Sequence, residues 1–286
     1  MGDGVMQERI AVVFDFDDTL GPDSTTGFLK HAGVEDIDGF WKQVGTMMAN
    51  DWDPVPAYLN HMVTASHNGE MSPVTRDALM AWGKVLPLFD GVEHVFAHLR
   101  KVVKDANPRV TLEFYLISSG IGDVLRNTCV ADEFTDIWAS EFHYDEQGHA
   151  TTPRKIISFT DKTRYIFQIQ KGIIGKESRG KPFAVNKRVP ADQVRIPLNQ
   201  MVFVGDGYTD IPCFSLIKQN GGIPIAVYDQ RQTEKWGNAF QFVADGRVSN
   251  LHSANYQQGS DLVNFLSMAV RSLADRIAVS ASSYQG

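Results

Sequence analysis

The sequence predicts an α/β fold: a parallel sheet with helices on both faces, and a mainly helical segment inserted after the first strand. Three observations predict it. Short apolar runs recur, and each stops abruptly at small or acidic residues. Amphipathic helical stretches lie between them. The first gap between apolar runs is too long for a single crossover helix. Runs this short and this apolar suit strands buried on both faces, and their alternation with helices suits a doubly wound core.

The first run, Ile10–Phe14, ends at Asp15. From Gly21 to Leu86 the chain is rich in helical apolar spacing and in aromatics: Phe28, Phe40, Trp41, Trp52 and Tyr58. The prolines of "DWDPVP" and "MSPVT" punctuate these helices. The stretch 21–86 therefore reads as an inserted helical domain. "LPLFDG" returns the chain to the core, which comprises residues 1–20 and 87–286. In "GVEHVFAHLRKVV", Val92, Val95, Phe96, Leu99 and Val103 share one helical face. "LEFYLI" (Leu112–Ile117) is the second strand and ends at "SSG". "KTRYIFQIQKG" starts beside Asp161 and stops at Gly172, a helix with an acidic start and a glycine stop. "MVFV" (Met201–Val204) runs into "GDGYTD", and "IPIAVY" (Ile223–Tyr228) into "DQR". A second insertion, Ile173–Gln200, is polar and basic.

Composition sets limits. The 286 residues are 43% hydrophobic and carry a net charge of -7, which speaks against a nucleic-acid surface. Cys129 and Cys213 stand far apart in no metal-binding spacing, as suits a reducing compartment. The N-terminal stretch lacks an apolar run long enough for a signal peptide or a membrane span. A cytoplasmic protein with no membrane partner is expected; its oligomeric state is left open.

In open parallel sheets, ligands sit beyond the carboxyl ends of the strands. Three strand ends here carry chemistry: Asp15 with Asp17, then Ser118, then Asp206 with Asp210. Carboxylates from two strands crowded at one point need a cation, and an all-oxygen set favours Mg2+. Lys162, at a helix start, adds a second positive charge. A carboxylate nucleophile, a metal, a lysine and a hydroxyl are the parts of a phosphoryl-transfer site.

"DFDDTL", "LISSG", "TDKTRYIF" and "GDGYTD" occur in the order of the four motifs of the haloacid dehalogenase (HAD) superfamily phosphatases, which the core from Ile10 to about Tyr228 resembles. The DxDxT frame falls on Asp15, Asp17 and Thr19. The resemblance implies a HAD-like Rossmannoid sheet and a phosphatase acting on a small phosphorylated metabolite. It makes Asp15 the nucleophile that forms an aspartyl-phosphate. Asp17 becomes the general acid and base, whose carbonyl also binds Mg2+. Asp15 and Asp206 complete the metal site, with Asp210 supporting it directly or through water. Ser118 holds the phosphoryl oxygens, with Ser119 and Gly120 beside it, and Lys162 neutralises nucleophile and phosphate. The insertion 21–86 is similar to the helical C1-type cap of the phosphoserine phosphatase and cytosolic 5'-nucleotidase branch. Phosphoserine phosphatases carry a substrate-binding cap glutamate where this chain has Ser24, with Asp23 beside it.

Other readings compete. Ser119 takes the phosphate role if the strand ends one residue later than Ile117. Asp18, outside the frame, reads as a turn residue in contact with solvent or backbone. "SSGIGD" and "GDGYTD" fail the dinucleotide pattern, whose third glycine would fall at Leu125 or Asp210. His94 and His98 lie off the apolar stripe and read as surface residues. The basic insertion, with six basic and two acidic residues from Lys176 to Arg195, reads as a solvated loop or a lid over an anionic substrate. A phosphotransferase or phosphomutase, or a non-hydrolytic phospho-signalling module, would use a similar set of groups.

Overall fold

A computed structural model describes residues 7–283; the side chains of 233–236, 238–239 and 281–283 are outside the description, as are residues 1–6 and 284–286 of the expected core. Among the described residues seven strands form one sheet: β1 (Arg9–Phe14), β2 (Thr111–Ile121), β3 (Asp136–Tyr144), β4 (Ala150–Lys155), β5 (Met201–Gly205), β6 (Ile223–Tyr228) and β7 (Asn250–Ser253). The order is β4-β3-β2-β1-β5-β6-β7, and every pair is parallel except β3 with β4. β1 is central. Chain order departs from it in both directions, which makes its carboxyl end the topological switch point where α/β folds place ligands.

The helices are α1 (Ser24–His31), α2 (Ile37–Ala49), α3 (Pro54–His67), α4 (Arg76–Val85), α5 (Val92–Ala106), α6 (Gly122–Leu125), α7 (Asp161–Lys171), α8 (Ile211–Gln219), α9 (Thr233–Ala244) and α10 (Asp261–Ser283). Two apolar layers cover the sheet, divided by the strand period of two. Ile10, Val12 and Phe14 join Phe114, Leu116, Val202 and Val204 under α5 and α10. Ala11 and Val13 join Tyr115, Ile117, Met201 and Phe203 under α7 and α8. All five residues from Ile10 to Phe14 are fully buried, which is why the run reads as uninterrupted apolar sequence.

Helices α1 to α4 occupy the stretch between β1 and α5. Their starts are chemically marked. Asp23 accepts from the Thr26 N–H, Asp36 from that of Gly39 and Thr75 from that of Ala78, and Pro54 opens α3. Their buried side chains, Phe28, Leu29, Phe40, Leu59 and Met62 among them, are continuous with the layer under α5 and α10.

Several strands depart from the sequence reading. β2 does not stop at Ile117 but runs on to Ile121, with a register irregularity against β3 between those residues. Such bulges re-aim side chains, here at the "SSG" step. The hairpin β3–β4 gave no clear apolar signal, because β4, "ATTPRK", is an edge strand with mostly half-exposed or exposed residues. No helix among the described residues is long and apolar enough to cross a membrane.

Candidate active site

The site begins where β1 stops. The Asp15 N–H still donates to the Val204 carbonyl at 2.9 Å, so the sheet holds the residue to its last hydrogen bond. The Asp15 Oδ1 then accepts from the Phe16 N–H at 2.7 Å. The chain turns at once: Thr19, Leu20 and Gly21 all donate to the Phe16 carbonyl. Asp18 takes a left-handed conformation at φ 54°, which aspartate tolerates better than most residues. It is buried, within 3.3 Å of the Gln232 amide, and so is a turn residue but not a solvated one.

Lys162, in the first turn of α7, is fully buried. Its ammonium donates to Asp15 Oδ2 and to Asp210 Oδ1, both at 2.7 Å. Burial alone would lower its pKa, but the two carboxylates overcome burial and raise it, so the lysine stays charged. Asp210 closes a short turn, Tyr208–Asp210, after β5, and its Oδ2 accepts from the Gly207 N–H at 3.2 Å. Burial pushes the Asp210 carboxyl up to about 6, against the pull of Lys162. Gly205 is required here: a Cβ on it would lie 2.3 Å from Asp210 Oδ2.

Carboxylate oxygens of Asp15, Asp206 and Asp210 lie within 4.8 Å of one another. Three oxygen donors from two adjacent strand ends, with no nitrogen or sulfur ligand among them, fit Mg2+. A bound cation would also reverse the upward push on Asp210.

The Asp17 carboxylate is not in that cluster. Its Oδ1 accepts from the Ser24 N–H at 2.7 Å. Burial first, then the charges of Asp23 and Asp15, raise its pKa well above the aspartate range, against the opposing hydrogen bonds of Ser24. Ser118 is fully buried, and its hydroxyl accepts from the Gly120 N–H at 3.1 Å. The Ser119 hydroxyl is buried with no hydrogen-bond partner among the described residues. A Cβ on Gly120 would sit 2.9 Å from Asp17 Oδ2 and 3.3 Å from the hydroxyls of both Ser118 and Ser24. The space that glycine leaves is bordered by an acid and two hydroxyls.

Sequence reasoning missed which aromatics reach this place. The Tyr58 hydroxyl, from α3, donates to the Ser119 carbonyl at 2.7 Å; burial, then Asp17, Asp23 and Asp15, raises its pKa. Trp82, from α4, donates to the Ser24 carbonyl at 3.0 Å and packs on Gly27, where a Cβ would lie 2.5 Å from the indole. Only the density of aromatics in 21–86 hinted at either. His94 is exposed, whereas His98 is partly covered and meets the Ser267 hydroxyl at 2.9 Å. The basic insertion forms short 3-10 turns beside α7, tied down by Lys171 to the Val185 and Lys187 carbonyls and by Arg195 to Glu113.

No family model matches the chain. An uncharacterized protein of Borreliella burgdorferi is 27% identical over 289 residues, covering 91% of this chain and 97% of that one. Among solved structures, a HAD family hydrolase from Salmonella enterica serovar Typhi superposes with a TM-score of 0.58 at 12% identity, over 91% of this chain and 71% of its own. A phospho-aspartyl intermediate analogue of phosphoserine phosphatase superposes with a TM-score of 0.55 at 15% identity, over 92% of this chain and 99% of its own. The chain has the haloacid dehalogenase fold. A probable phosphoserine phosphatase from Vibrio cholerae shares this HAD fold, with a TM-score of 0.56 at 12% identity over 94% of this chain and 67% of its own. Within the HAD fold, Asp15, Asp17, Ser118, Asp206 and Asp210 lie toward the carboxyl ends of β1, β2 and β5, and Lys162 lies in the first turn of α7.

Proposed function

We propose that the protein is a Mg2+-dependent phosphatase that hydrolyses a small phosphomonoester through an aspartyl-phosphate on Asp15. One observation carries this reading: a buried lysine bridges Asp15 and Asp210 beside Asp206, while Asp17 stands apart as a carboxyl biased toward holding its proton. The Asp15 carboxylate attacks phosphorus and the ester P–O bond breaks. Asp17 gives its proton to the leaving oxygen. Asp17, now a carboxylate, takes a proton from water as that water attacks phosphorus, releasing inorganic phosphate and restoring Asp15. Lys162 neutralises Asp15 and the transferring phosphate, and Ser118, with Ser119 and the Gly120 backbone beside it, holds the phosphoryl oxygens. Asp15, Asp206 and Asp210, with the Asp17 carbonyl, would hold Mg2+, which when bound would supply positive charge against the phosphate oxygens.

Residues 21–86 act as the cap, with Tyr58 and Trp82 as the side chains through which it meets the site. Solved phosphoserine phosphatases share the fold, but Ser24 stands where that branch carries its cap glutamate, which favours a different small metabolite. The free cysteines suit a reducing, cytoplasmic setting. The test is phosphate release from a broad panel of phosphomonoesters, with Mg2+ and with a chelator. Metal-dependent release from at least one ester is expected. No release from any of them would end this reading, and transfer to an added alcohol or sugar rather than to water would reassign the enzyme as a phosphotransferase.

A further inference from the structure

A second concave site lies on α7, away from Asp15. It is a cavity of about 760 Å3 between the β3–β4 hairpin, α7 and the basic insertion around Ser178–Pro182. None of Asp15, Asp17, Ser118, Lys162, Asp206 or Asp210 lines it. Its cations are Arg154, Lys155, Arg164, Arg179 and Lys181, against the acids Glu141 and Asp161. That is a local positive excess in a chain whose net charge is -7.

The ion pairs around the cavity do not use this charge up. Both Glu141 oxygens are engaged, accepting from Arg126 at 2.7 Å and Arg154 at 2.5 Å. The pairs Arg164–Asp161 at 3.6 Å and Arg179–Asp136 at 3.5 Å are longer than charge-assisted hydrogen bonds. Lys155 lies over the Tyr165 ring, 5.3 Å from its centroid. Burial lowers the Lys155 pKa; Glu141 opposes this, and Arg126, Arg179 and Arg164 push it further down. A second, independent feature points the same way. Tyr165 lines the cavity, is 1% exposed, and its hydroxyl is buried without a hydrogen-bond partner among the described residues. A buried donor of this kind is costly unless something accepts from it.

We infer that this cavity binds a small phosphate-bearing anion at a site separate from the one that holds the substrate phosphate. The volume is that of small-molecule sites. Arginine guanidiniums offer phosphate several donors in fixed planes, and the tyrosine hydroxyl adds one more. The basic insertion then serves as a wall of this cavity instead of a lid over Asp15. Helix α7 serves both places: Lys162 reaches Asp15, and Arg164, Tyr165 and Gln168 line the cavity.

The test is calorimetric titration of inorganic pyrophosphate into the full chain in metal-free buffer, where the carboxylates around Asp15 repel anions. Saturable binding is expected. The double variant Arg179→Ala/Lys181→Ala, confined to exposed or half-exposed side chains, should weaken it at least tenfold with an unchanged melting temperature in the absence of pyrophosphate. Tyr165→Phe should weaken it severalfold. Ser118→Ala should leave it unaltered. Absence of saturable binding, equal affinity in the wild type and the double variant, or loss of binding in Ser118→Ala would each overturn the inference.

Discussion

Asp15, Asp17 and Asp18 are near neighbours in sequence and have three different surroundings. Asp15 faces Lys162, Asp17 faces Ser24 and Asp23, and Asp18 makes the left-handed turn. Asp15→Asn keeps the shape but removes the nucleophilic charge, so turnover should vanish while circular dichroism stays native. Asp18→Asn keeps a residue that tolerates positive φ, so kcat should remain within about tenfold, or about 1.4 kcal/mol, of the wild type. Gly120→Ala places a methyl group between Asp17 and the two hydroxyls. Steady-state kinetics should show it at least about tenfold slower, with little change in melting temperature.

At the scale of elements, β1 is the spine of the protein. Phe14 packs edge-on to Phe96 at 6.0 Å and to Tyr256 at 6.4 Å. Phe14→Ala should cost about 3–5 kcal/mol in chemical denaturation, because this crowded layer collapses poorly around a cavity. The β3–β4 hairpin is held differently, by Glu141 between Arg126 and Arg154. Burial works to raise the Glu141 pKa, but the two guanidiniums hold it below the ordinary 4.5. A depressed carboxyl stabilises the fold above its unfolded value, and that contribution is lost as pH falls through the folded value. Melting temperature measured from pH 6 downward should therefore drop more steeply below about pH 4.5 in the wild type than in Glu141→Gln.

Across the whole molecule, what the sequence made legible follows from burial. Strands buried on both faces, such as β1, β5 and β6, read directly as apolar runs, and α7 read directly from Asp161 to Gly172. The strand-end acids could be grouped because parallel strands deliver their carboxyl ends to one edge. Edge strands β4 and β7, with few buried residues, left no such trace. Glu113 illustrates another limit: a charge inside the apolar run of β2 is held by the Tyr115 hydroxyl and by Arg9 and Arg195, which approach it from distant parts of the chain at 2.5 and 2.6 Å. Tyr58 and Trp82 reach the site through tertiary packing, which carries no local pattern. In the proposed reaction, phosphate passes through Asp15. The direct measurement is to trap protein during turnover with a radiolabelled phosphomonoester and Mg2+, quench in acid, and map the label. A hydroxylamine-labile label on the peptide containing Asp15, absent from Asp15→Asn, is the expected result; turnover without label, or label on another residue, would contradict it.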